Sequence, residues 1–145
     1  MTKEFEKLTT EERELLYKAP VLVSALVSCA YNEVDETKKS DAIKLAHLRT
    51  FTAPSLLLPY YKEVEKIFKE EFEKTVKIYF PFDEENRAKM KNEINKVNRI
   101  IAKLDADYAT TLNKSLEAYA RHVKRSVYSV FQDVIFPMSY SRLND

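Results

Sequence analysis

"APVLVSALVSCAYNEVDETKKSDAI", residues 19–43, joins the longest apolar run of the chain to an acidic turn. The run, residues 19–31, falls short of the roughly 20 apolar residues that a membrane-spanning helix needs. Val21, Ala25, Ser28 and Cys29 recur at helical spacing. Leu22, Leu26 and Ala30 widen that stripe until it covers most of the helix surface, as in a helix at the centre of a fold. The stretch therefore predicts a buried helix, a turn and a second helix. The turn must form without glycine, because the chain contains none. Asn32 tolerates the left-handed backbone best among the residues there, and Asp35 is placed to cap the helix that follows.

Upstream, Thr9 and Glu12 have the spacing of a capping box, in which each side chain accepts the other residue's amide hydrogen. A helix starting there runs through Leu15 and Leu16 to Pro20, which has no amide hydrogen to continue it. The expected outcome is a restart, with Pro20 in the first turn of the apolar helix.

Downstream, the second helix passes Ile43, Ala46 and Arg49 and ends in "TFTAPS". Pro54 and Pro59 bracket a short apolar turn, and from Tyr60 the residues Tyr61, Val64, Phe68, Phe72, Val76 and Tyr79 follow a helical period. The opposite face of that helix carries Glu65/Lys69, Glu70/Lys74 and Glu73/Lys77, pairs four apart in the favourable order. Pro81 stops the helix and Asp83 can cap the next one. There Met90, Ile94, Val97, Ile101 and Leu104 form a narrow apolar seam. After a break at "KLDADY", capped by Asp105, a stripe of Tyr108, Leu112, Leu116, Tyr119, Val123, Val127 and Val130 runs towards Pro137. No segment alternates with a period of two. The fold class is all-α: one compact bundle of about six to seven helices over residues 1–137, followed by a tail at 138–145.

Composition removes several chemistries. Without glycine, neither a phosphate-binding loop nor a dinucleotide fingerprint can form, since both need backbone amides that approach phosphate closely. One cysteine and two histidines cannot build a structural zinc site from clustered Cys and His. A di-iron bundle needs Glu three residues before His, and those positions hold Lys44 and Tyr119. His122 and Ser126 share a helix face, but no orienting acid or oxyanion donor accompanies them. His122 and His47 both read as half-buried histidines at the core edge. Cys29 reads as a buried structural thiol.

A formal charge of +1 gives no global attraction to nucleic acid. The basic strip of Lys114 and "ARHVKR" is short, and its apolar residues belong to the core stripe, so nucleic acid is not an expected partner. The charged N-terminus and the single cysteine lead us to expect a cytoplasmic protein that is not integral to a membrane. Nine Tyr and eight Phe fill helix junctions. The alternative is an aromatic-lined ligand pocket of Phe51, Tyr60, Tyr61, Phe80 and Phe82, around the proline breaks.

The helix, turn and helix of residues 19–43, with the lead-in "LTTEERELLYKAP", resemble the TerB-like family of tellurite-resistance protein B domains. The likeness covers about the first 50 residues. In that family the buried helix ends in a pattern like Ala-Asp-Gly-x-Val/Ile-x-x-x-Glu. The resemblance implies a compact helical domain whose acidic turn forms a metal-binding surface. With Val34 on the pattern's Val/Ile, Tyr31 stands in place of Asp, Asn32 of Gly and Lys38 of Glu. Glu33, Asp35, Glu36 and Asp41 remain as acids, interrupted by Lys38 and Lys39. Calcium would want six to eight converging oxygens, so the expectation is no metal and no cofactor. The resulting expectation is a non-enzymatic domain acting through a protein partner or self-association, as a homodimer or within a membrane-associated stress complex. A small-molecule binding protein is the alternative.

Overall fold

The computed structural model describes residues 3–28 and 36–123, and these are helical with no strand. A 3₁₀ turn, Lys3–Lys7, leads into α1 (Thr10–Tyr17) and α2 (Ala19–Ser28). From residue 36 come α3 (Glu36–Thr52), a second 3₁₀ turn (Ser55–Leu57), α4 (Leu58–Tyr79), α5 (Glu84–Ile101) and α6 (Ala106–Val123). The all-α bundle read from the sequence is the observed fold. No helix among the described residues is long and apolar enough to cross a membrane. Cys29, the turn at 29–35, Ser126, Val127, Val130 and the tail at 138–145 lie outside the described residues.

The helix ends follow local chemistry. Thr9 Oγ1 accepts the Glu12 amide at 3.1 Å, while Glu12 Oε1 accepts the Thr9 amide at 2.9 Å, so the capping box is complete. Asp83 Oδ1 accepts the Asn86 amide at 2.9 Å and opens α5. Asp105 Oδ2 accepts the Asp107 amide at 3.2 Å at the start of α6. Pro20 sits in the first turn of α2, as its missing donor requires. Pro59 likewise lies in the first turn of α4, so that helix opens at Leu58, before the Tyr60 read from the apolar spacing.

α2 is the centre. Val21, Leu22, Val23, Ser24, Ala25 and Leu26 are consecutive and all buried, because α2 packs on α4 and α6 and also touches α3 and α5. Beneath it, an aromatic layer joins the first 3₁₀ turn and α1 to α4 and α6. Phe5 lies edge-on to Tyr60 and Tyr108, and Tyr60 stacks on Tyr17 with centroids 5.7 Å apart. Tyr61 and Tyr119 lie parallel with centroids 6.4 Å apart, and Phe5 lies 5.3 Å from Tyr17. Two of these phenols donate to main-chain oxygens, Tyr60 to Leu16 O at 2.7 Å and Tyr119 to Ala42 O at 2.6 Å. Tyr61 and Ser115 hydroxyls meet at 2.5 Å.

Candidate functional site

α5 turns its seam of Met90, Ile94, Val97 and Ile101 into the core, all at most 2 % exposed. A helix advances 100° per residue, so this seam obliges Lys89, Asn92, Lys96, Arg99 and, just past the helix, Lys103 to lie on the opposite face. Lys89, Lys96 and Lys103 are seven residues apart, about 10 Å along the axis at each step. The result is a basic, amide-bearing stripe along the outside of the bundle.

Two clefts open onto this stripe. Between α5 and the end of α4 lies one of about 460 Å³, whose basic wall is Lys89, Lys96 and Arg99. Asn92, Asn95 and Glu93 add polar groups, and Ile78 and Tyr79 supply its apolar side. Burial, and then the neighbouring Glu93 carboxylate, raise the Tyr79 phenol above its ordinary value, so it enters the cleft as a neutral hydroxyl. Between α5 and α1 lies a second cleft of about 340 Å³, with Leu15 and Ile100 as its apolar floor and Lys103, Glu11 and Glu12 on its rim. Lys96 and Arg99 line both clefts.

The cations of the stripe are not equivalent. Lys89 pairs with Glu85 at 3.4 Å, Lys96 with Glu93 at 2.9 Å, and Lys103 with Glu12. Arg99, exposed and on the ridge between the clefts, makes no ion pair among the described residues. Its guanidinium is a planar fork suited to a carboxylate. The Lys103 ammonium, followed by the Thr9 amide, holds the Glu12 carboxyl below its ordinary range. One carboxylate thus closes the α1 cap and ties α1 to α5. A third cleft, about 300 Å³ between α1 and α4, is acidic, lined by Glu14, Glu63 and Glu71 with Tyr17, Lys18 and Ile67.

The five aromatic residues read as a ligand pocket are not brought together. Tyr60 and Tyr61 are fully buried at the start of α4, whereas Phe80 and Phe82 follow its other end, about 33 Å away for a helix of 22 residues. Phe82 is buried under the Arg87 guanidinium, 5.0 Å from its ring centre. Phe51 and Phe80 face solvent, 62 % and 47 % exposed. Sequence proximity to prolines placed these residues at helix ends, but a long α4 separates the two sets.

Of the acids near the turn, Glu33 and Asp35 lie outside the described residues, and so do the side chains of Glu36 and Asp41, which sit on α3. Among the described residues no group of three or more His, Cys, Asp or Glu converges as metal ligands would. His47 is not half-buried. Ala46 faces the core, and one step of 100° carries the His47 ring out to pair with Glu65 of α4 and meet the Phe51 ring edge-on at 5.8 Å. Glu65, expected to pair with Lys69, pairs with His47, while Glu70 and Lys74 pair at 3.3 Å as expected. His122 is also exposed, at the end of α6. In the basic strip of α6, Lys114 is exposed and Arg121 lies 3.7 Å from the buried Glu117 carboxylate.

The α5 stripe is invisible to the apolar periodicity of that helix. Its signal is the seven-residue repeat of lysines opposite the seam, with Arg99 between Lys96 and Lys103. No protein-family model, curated protein or solved structure matches the chain.

Proposed function

We propose that this chain is a non-enzymatic, TerB-like helical domain that acts by binding another protein, with the outer face of α5 as its contact surface. The observation that carries this reading is the ridge at Arg99: a cation without an ion pair among the described residues, shared by two clefts whose apolar sides are Ile78/Tyr79 and Leu15/Ile100. Arginine and tyrosine beside apolar side chains are groups that protein contact sites favour. The walls of the larger cleft are lysine, arginine, amide and a lone carboxylate. That set supports recognition by charge and hydrogen bonding.

The likeness of the first 50 residues to TerB-like domains belongs to this reading as a shared frame without the metal surface. Tyr31 and Lys38 occupy two of the family's acidic positions. Millimolar Ca²⁺, Mg²⁺ or Mn²⁺, or a chelator, is accordingly expected to leave the melting temperature unchanged. A rise on adding one of the cations counts against the lost metal site.

A photo-crosslinking residue at Asn95, inside the larger cleft, tests the contact surface in native lysate. A second at Lys62, exposed on α4 away from the cleft, is the reference. Protein adducts at Asn95 in excess of those at Lys62 are expected. Equal yields at both positions remove the reading.

The small-molecule alternative has one observation in its favour. A volume of about 460 Å³ lies within the roughly 300–1,000 Å³ of ordinary ligand sites. Such sites are mostly apolar, however, and this cleft is walled mainly by charge and amide.

A further inference from the structure

The partner's chemistry can be read from the spacing and pairing of charges on α5. Lys89, Lys96 and Lys103 repeat every two turns, and Arg99 projects between the last two. A helix laid along α5 presents one face at the same seven-residue interval. Its acids at that interval would meet the lysines, and the apolar residues between them would enter the two clefts against Ile78/Tyr79 and Leu15/Ile100.

Charge complementarity also separates a peptide from a nucleic acid. A polyanion carries phosphates without interruption, and along this stripe it would run onto Glu85, Glu93 and the Glu11/Glu12 pair. A helix with widely spaced carboxylates brings one charge to each cation, to share it with or displace the single glutamate paired there, where a polyanion would bring several. Three of the cations already have an intramolecular partner to be displaced or shared, whereas Arg99, which has none among the described residues, can take a bidentate one. Resting on the reading of α5 as a protein-contact surface, we propose that its occupant is an acidic amphipathic helix of a partner protein, with carboxylates seven residues apart and Arg99 as the anchor.

The test uses the full chain and three labelled helical peptides of equal length, read by fluorescence anisotropy. One carries Glu at every seventh position with Leu between on the same face. Its twin has Gln for Glu, and the third has the first peptide's composition in scrambled order. A single-stranded oligonucleotide is the fourth probe. The first peptide is expected to bind about tenfold more tightly than the other three, and Arg99→Glu to erase that advantage, since like charges facing each other suppress association. Binding should weaken as salt is raised from about 0.05 M to about 0.5 M. Lys62→Glu makes the same change in sign far from the cleft and should leave binding as it was.

Equal affinity for the Glu and Gln peptides, tighter binding of the oligonucleotide, or indifference to Arg99→Glu each overturns the proposal. So does loss of binding in Lys62→Glu equal to that in Arg99→Glu, because net charge alone would then explain it. If Asn95 still captures protein from lysate with undiminished yield in Arg99→Glu, the acidic helix is rejected while the protein-contact reading stands. If Asn95 captures no more than Lys62, the reading itself has failed.

Discussion

Thr9 and Tyr60 show how a few polar atoms decide where chain segments stop and meet. The Thr9–Glu12 box satisfies two otherwise open amides of α1. Thr9→Ala is expected to cost about 1 kcal/mol, as caps usually do, measured by urea denaturation at neutral pH. The Glu12 carboxyl is held below its ordinary value by Lys103 and the Thr9 amide. A depressed carboxylate stabilises above its unfolded pKa and loses that effect as pH falls through its folded one. Denaturation of Glu12→Gln should therefore show a smaller penalty at acid pH than at neutral pH, because it is the ionised Glu12 carboxylate that accepts from the Thr9 amide and from Lys103. Tyr60 meets a different need. Pro20 has no amide hydrogen for the carbonyl of Leu16 four residues earlier, and the Tyr60 hydroxyl donates to that oxygen at 2.7 Å inside the core. Tyr60→Phe leaves a buried carbonyl short of a donor, with an expected loss of about 1–3 kcal/mol. A loss below 0.5 of that range's lower bound would mean that the carbonyl is served some other way.

Among the elements, α4 carries both the strongest and the weakest contributions. Phe68 and Phe72 are buried and stacked, 6.1 Å between centroids, and Phe68 also meets Tyr119 of α6. Phe68→Ala removes an aromatic ring from the junction of two helices, and a loss of about 3–5 kcal/mol is expected from the cavity and the lost burial. On the other side of the same helix, Glu70 and Lys74 are 3.3 Å apart and largely exposed. Lys74→Ala should change stability by about 0.5 kcal/mol or less. Chemical denaturation of the two variants side by side checks the contrast. α5 divides in the same way between a core seam and an outer stripe, where the exposed Lys89–Glu85 and Lys96–Glu93 pairs contribute little to folding and Lys103 ties the helix end to α1 through Glu12. Lys89, Lys96 and Arg99 are therefore largely free to vary in stability terms, which leaves them available for recognition.

Across the whole molecule, the buried phenols bind four segments of the chain into one unit. Tyr60 reaches α1, Tyr61 reaches α6, and Tyr119 reaches α3. Burial pushes the Tyr61 pKa from the ordinary 10.0 to about 12, and raises Tyr60 and Tyr119 well above the ordinary value. The folded-state value lies above the unfolded one, so this contribution is fully present below the ordinary pKa and is lost as pH rises through the folded one. Alkaline titration followed by tyrosinate absorbance should thus show two steps: exposed phenols first, then the buried set together with loss of helical circular dichroism. A single step with helicity intact would refute the coupling.

Much of the architecture was legible because helix ends and apolar stripes are local or periodic properties. Thr9, Pro20, Asp83, Pro81 and Asp105 mark their boundaries by donors and acceptors within four residues, and the stripes of α4, α5 and α6 repeat often enough to define a buried face. His47 escaped this logic, since whether a residue beside the stripe is covered depends on which helix lies next to it. The pocket of Phe51, Tyr60, Tyr61, Phe80 and Phe82 failed for a related reason: nearness to prolines says nothing about distance across a 22-residue helix. The candidate site was half written in the sequence, as lysines seven apart on α5. What the sequence alone determined was an all-helical chain with its helix ends and inward faces, because hydrogen-bond closure and amphipathic period act over short range. Only the tertiary structure decided that α1 and the end of α4 flank α5, turning one solvated helix face into two clefts around Arg99, because clefts arise from the gaps between elements that are distant in the chain.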